Sequence, residues 1–154
     1  MNSTARSIEE TLWSRHANPK SGWTRVPTGP LIVYAVYRRD FRLLTAALIW
    51  TIVSPVIFSP PESHEAWMTR AVLAERWWVR EQRNGTIGLD YPNVYNAGGA
   101  IAFAYALVAA WVCRPIGAAV GWIVASALKL WWIAVIVRRY DAAYEKDPSQ
   151  LPSQ

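Results

Sequence analysis

A single cysteine, Cys113, stands in a chain of 154 residues. One thiol forms no intrachain disulfide, and no Cys-x-x-Cys pair is present to hold a metal. Histidine is nearly as scarce: His16 and His64 are the only two, and they form no His-x-x-x-His pair. No metal site and no cofactor is therefore expected. Ser21-Gly22 is not part of a Gly-x-Ser-x-Gly elbow. Gly98-Gly99 is not followed by the Gly-Lys-Ser/Thr of a phosphate loop. An apolar leader is missing too. Glu9, Glu10, Arg15, Lys20 and Arg25 interrupt the first thirty residues, so no signal peptide is expected. The net charge is +5, yet no nucleic-acid motif occurs. The cations sit at the ends of apolar segments and not on one patch, which argues against a nucleic-acid partner.

What the chain has in plenty is long apolar runs and tryptophan. Apolar residues make up 53% of it, and ten are tryptophans. Trp and Tyr collect where one edge of a ring meets lipid and the other meets water. The clearest run, "IGAAVGWIVASALKLWWIAVIV", covers 116–137 and is about 33 Å long as a helix, enough for a bilayer core of about 30 Å. Arg138 and Arg139 end it. A second run covers about 94–112. The link between them is so short that they must form an antiparallel hairpin. Gly117, Gly121 and Ala125 recur every four residues, as do Ala102, Ala106 and Ala110, with Gly99 nearby. Small residues at this spacing let two backbones approach closely.

The first half of the chain reads as a second hairpin, with spans over about 27–37 and 43–58 joined by "RRDFR". Asp40 is the expected N-cap of the later helix. Pro55 is expected to kink that helix and Pro60-Pro61 to end it. The earlier segment is short for a full crossing unless the bilayer thins or flanking arginines snorkel.

Two further helices are expected to lie on the membrane surface, over about 7–16 and 63–83. Ser7 and Glu10 have the spacing of a capping box for the first. In the second, Trp67, Ala71, Ala74 and Trp78 share a narrow arc, with Glu65, Thr69, Arg76, Arg80 and Arg83 opposite. The fold class expected is all-α: one integral membrane domain over 1–142 with four transmembrane helices in two hairpins. A disordered tail is expected over 143–154. With four spans, both termini lie on the face that carries most Arg and Lys, expected to be the cytoplasmic side of the cell membrane.

Polar residues of interest gather towards that same face. His16 and Glu62 are the candidates for moving a proton. Arg25, Arg70, Lys129, Asn18, Asn93 and Asn96 are the candidate ligand-binding residues. Lys129 is the most telling, because it lies about 13 Å inside the last span. A charge at that depth is costly unless it snorkels, pairs or faces water.

The stretches "LWSRHANPKSGWTR", "LIVYAVYRRD", "PPESHEAWMTRAVLAER" and "YPN" resemble an uncharacterised family of small prokaryotic, often haloarchaeal, multi-span membrane proteins. Its pattern is His-x-Asn-Pro-x-Ser-x-Trp-x-Arg, matched here by His16, Asn18, Pro19, Ser21, Trp23 and Arg25. A Pro-Pro pair then precedes Ala-Trp-Met-Thr-Arg, matched by Pro60, Pro61 and Ala66 to Arg70. The resemblance implies that these loop residues form one site or one structural clasp, and it carries no activity. The basic balance departs from the acidic surfaces of extreme halophiles.

The function expected is binding of an anionic or amphiphilic ligand, or of a membrane partner, at the interface. Membrane lipids are the expected partners, together with a second membrane protein or further copies of the chain. The alternative is a membrane-embedded enzyme acting on a lipid or isoprenoid phosphate. Arg25, Arg70 and Lys129 would then clamp the phosphate, and His16 or Glu62 would move a proton.

Overall fold

The computed structural model describes residues 3–146, and all its regular structure is helical. Seven helices follow one another: α1 (Ser3–His16), α2 (Pro19–Arg25), α3 (Thr28–Arg38), α4 (Phe41–Ile57), α5 (Trp67–Arg80), α6 (Asn93–Trp111) and α7 (Pro115–Lys146). Several ends follow from local chemistry. Asn18 caps α2 by accepting from the Lys20 amide, with Pro19 in the first turn, where its missing N–H costs nothing. Asp40 caps α4 by accepting from the amides of Arg42 and Leu43. Pro55 lies inside α4, two residues before its end at Ile57, and has no N–H for the Thr51 carbonyl.

The α6–α7 hairpin is the centre of the fold. Its seam is the small-residue surface expected from the four-residue spacing. A Cβ on Gly99 would lie 3.2 Å from the Ala125 carbonyl, one on Gly121 3.0 Å from the Ala106 Cβ, and one on Gly117 3.3 Å from the Ala109 Cβ. The partners shift in opposite directions along the two helices, so α6 and α7 run antiparallel in close contact. The α3–α4 hairpin docks through α3, where Val33 packs with Ala106, Ala109, Ala110 and Ala118.

Two helices, not four, are long and apolar enough to cross a membrane: α6 and α7. Length decides this. The eleven residues of α3 extend about 16 Å and the seventeen of α4 about 25 Å. α7 exceeds its expected end. It continues through Lys146, so a tail over 143–154 does not begin at 143, and residues 147–154 lie outside the described residues. α1 starts at Ser3, a turn before the expected capping box, so Ser7 is inside the helix and not its cap.

α5 is shorter than the expected 63–83, and protein covers its apolar stripe. Ala71, Ala74 and Trp78 are buried against Trp132, Ile136 and Val137 of α7. On one flank of the stripe Arg70 and Trp77 both reach the end of α7, at Asp141 and Tyr140. On the other flank Glu75 reaches back to Lys129. Two flanks reaching the middle and the far end of α7, at Lys129 and Asp141, mean that α5 crosses α7.

Candidate functional site

The motif that opens the chain folds into a clasp around the end of α4. A helix terminus leaves its last carbonyls without amide partners. Here Arg15 of α1 and Ser21 of α2 supply donors to the last turn of α4, and Asn18 between them holds the residue just past its C-cap. The Ser21 hydroxyl donates to the Ser54 carbonyl at 3.1 Å. The Arg15 guanidinium donates to the Val56 carbonyl at 3.1 Å. The Asn18 amide donates to the Ser59 carbonyl at 2.8 Å. A cation there also complements the negative end of the helix dipole. The Asn-Pro break turns the chain so that α2 lies beside both α4 and α5. Gly22 sits directly on the Met68 side chain, which a Cβ would overlap.

Behind the clasp lies a row of charges. His16 is half-buried, and burial together with the nearby Arg25 lowers its pKa from 6.5 to about 4. It is therefore neutral at pH 7, and its Nδ1 has no hydrogen-bond partner. Arg25 donates to the Ser21 carbonyl at 3.1 Å. Burial lowers its pKa, and the Glu75 carboxylate partly offsets this. Glu75 in turn pairs with Lys129 at 3.5 Å. The Lys129 ammonium also lies 4.2 Å from the centre of the Trp132 ring, a cation–π contact of about 0.5–2 kcal/mol. The Lys129 charge, midway along α7, is thus partnered from within the protein.

The third polar centre is a knot of two tryptophans on one asparagine. Asn93 is buried, and its carbonyl oxygen accepts from the indole N–H groups of Trp78 and Trp132, both at 3.2 Å. Its amide donates to Asp90 at 3.1 Å. This single side chain ties α5, α6 and α7 together. Asn96 donates to the Thr86 carbonyl at 2.7 Å and holds the loop before α6.

The expected site residues therefore fall into separate places. His16, Asn18 and Arg25 are together at the clasp, and Arg25 and Lys129 share Glu75. Asn93 and Asn96 belong to the tryptophan knot and its loop. Arg70 pairs with Asp141 at 3.2 Å, near the end of α7. Glu62 is exposed on the loop between α4 and α5. Each of the six expected ligand-binding residues has a partner within the chain. Among the described residues no group of His, Cys, Asp and Glu is placed to hold a metal. Sequence reasoning missed Asp141 and Trp132 as partners. Both lie on α7, beyond the reach of local spacing rules, and only the crossing of α5 reveals them.

No curated protein and no solved structure matches the chain. One family model does, over nearly its whole length, and its description carries neither an activity nor a location. The chain belongs to DUF6653, a family of unknown function whose model matches residues 2–154.

Proposed function

We propose that this chain is an integral membrane protein that works by binding at the bilayer interface. The observation that carries the reading is the outward face of its apolar helices. Only 22% of the apolar window of α6 and 28% of that of α7 is buried inside the protein. The core helices of a soluble protein are mostly buried, and a surface this apolar needs a cover. Exposed apolar side chains run from Ile116 to Trp131 on α7, from Val94 to Val112 on α6 and from Phe41 to Ile57 on α4. These bands are about 22, 27 and 24 Å long, and each fits within a bilayer core of about 30 Å.

In this reading α6 and α7 cross the bilayer and α4 lies in the same layer. α5, crossing α7, lies in the plane of the interface, with α2 packed on it. The face bearing the termini is cytoplasmic, since it holds most of the Arg and Lys. The ligand class is an anionic or amphiphilic membrane constituent, or a partner membrane protein. An enzyme acting on a lipid phosphate would need His16, Arg25, Arg70 and Glu62 or Glu75 within hydrogen-bond reach of one another. Glu75 lies near Arg25 but pairs with Lys129, Glu62 is exposed on its loop and Arg70 is engaged with Asp141, so binding is the reading put forward.

Alkaline carbonate extraction of membranes carrying the full chain tests the location. The chain is expected to stay with the lipid pellet. Val120→Lys with Ile123→Lys, both on the exposed face of α7, is expected to lower the membrane-held fraction, because a lysine at a helix centre costs about 2.5–3.5 kcal/mol on insertion. Quantitative release of the unaltered chain by carbonate would refute the reading.

A further inference from the structure

The two hairpin turns bring four arginines to one end of the molecule. Arg38, Arg39 and Arg42 come from the α3–α4 turn and Arg114 from the α6–α7 turn, and all four are exposed. The turns are neighbours, since the Arg39 guanidinium lies 5.2 Å from the centre of the Trp111 ring. Among the described residues none of the four has a carboxylate partner. The one acid present, Asp40, is occupied in capping α4. Further along α7, Lys129 at its middle and Arg70, held by Asp141, are both paired.

The local backbone adds an independent observation. Both turns close in the same way: the Asp40 amide donates to the Ala35 carbonyl at 2.9 Å, and the Arg114 amide to the Ala109 carbonyl at 2.8 Å. Each places a residue in the left-handed region, Arg39 at φ 54° and Cys113 at φ 57°. Glycine is the least strained residue for that position. The chain instead keeps an arginine there, in cation–π contact with Trp111. That contact uses none of the guanidinium N–H groups as hydrogen-bond donors, which leaves them for a phosphate. Phe41, Trp111, Val112 and Ile116, all exposed and apolar, surround the charges, so cations and acyl-chain contacts meet at one level.

We infer that this end binds the headgroup of an anionic phospholipid, with Arg39 and Arg114 as the principal phosphate ligands and the apolar rim against its acyl chains. The inference rests on the membrane reading and moves the anion site away from Arg25, Arg70 and Lys129, whose charges are used inside the fold.

The test is native mass spectrometry of the full chain released from vesicles of equal phosphatidylglycerol and phosphatidylcholine, beside carbonate extraction of the same vesicles. The unaltered chain is expected to retain phosphatidylglycerol preferentially. Arg39→Gly with Arg114→Gln is expected to lower that preference about 25-fold, from about fivefold per basic residue near a charged surface. Arg39→Gly relaxes the backbone, so a fold lost through strain is not the expected cause. Lys20→Gln, an exposed cation on α2, is expected to leave the preference unchanged. A chain that stays in the membrane but shows no preference overturns this inference and spares the membrane reading. A preference that survives the double substitution, or that falls with Lys20→Gln, overturns it too. Release by carbonate overturns the membrane reading itself.

Discussion

Replacing Asn93 by leucine removes the acceptor shared by two buried indoles. Trp132 has no exposed surface, and its N–H points to the Asn93 oxygen at 3.2 Å. Trp78 has a second acceptor, the Gly85 carbonyl at 3.1 Å, so it loses half of a shared bond. Asp90 is exposed and regains water. A stranded buried N–H costs about 1–3 kcal/mol, and the weakened Trp78 bond adds roughly 0.5–1.5 kcal/mol, which together gives about 2–4 kcal/mol. For a chain of this size that is a fall in Tm of roughly 5–15 °C. Intrinsic tryptophan fluorescence during a thermal scan in mild detergent reads it directly, because two of the reporters are in the knot. A double-mutant cycle sharpens the test. With Trp132→Phe already in place its N–H is no longer there to strand, so Asn93→Leu should then cost only about 1 kcal/mol, a coupling of roughly 1–3 kcal/mol. Strict additivity of the two substitutions, or a melting curve for Asn93→Leu that overlays the unaltered chain, would refute the knot as a source of stability.

Other outcomes follow from the same contacts. His16 holds a pKa of about 4 when folded against 6.5 when unfolded, so between those values the unfolded chain binds a proton that the folded chain does not. Stability should fall as pH is lowered from 6.5 towards 4, and His16→Gln should flatten that slope in pH-resolved melts. Lys129→Met breaks a pair whose side chains are 42% and 29% exposed. Solvent screening, and the Arg25 charge that still faces Glu75, limit the loss to about 0.5–1 kcal/mol by denaturant titration. Gly121→Val puts methyl groups where a Cβ already meets Tyr105 at 2.9 Å and the Ala106 amide nitrogen at 3.0 Å. It should cost about 1–3 kcal/mol, whereas Ala119→Val on the exposed face of α7 should stay within about 0.5 kcal/mol. Ser21→Ala leaves the Ser54 carbonyl without its donor and should lower stability by about 1 kcal/mol in the same titration.

The readings that survived are those in which a residue acts on its immediate neighbours. Asp40 caps α4 because a carboxylate two or three residues before free amides has little else to do. The α6–α7 seam was legible because small residues every four positions can only make a flat helix face. The candidate site was less legible. Arg25, Arg70, Lys129 and Asn93 stand out in sequence as polar groups in apolar company. That property does not distinguish a residue awaiting a ligand from one whose partner lies elsewhere in the chain. Glu75 to Lys129 and Arg70 to Asp141 are separated by more than fifty residues, and no periodicity connects them. The four-span expectation failed for a related reason. It counted apolar composition in α3 and α4 without fixing where each helix starts and stops, and eleven residues at 1.5 Å each do not cross a bilayer.

By itself the sequence determined the helical class, the antiparallel α6–α7 hairpin and the break at Asn18-Pro19. It also determined the concentration of tryptophan and arginine at the ends of apolar runs. These depend on backbone propensity, side-chain volume and charge within a few residues of each other. Only the tertiary structure decided that α5 lies across α7. That crossing turned an expected ligand site into ion pairs and a tryptophan knot. The crossing is set by which surfaces fit together once both helices exist, and no stretch of either helix contains that information alone.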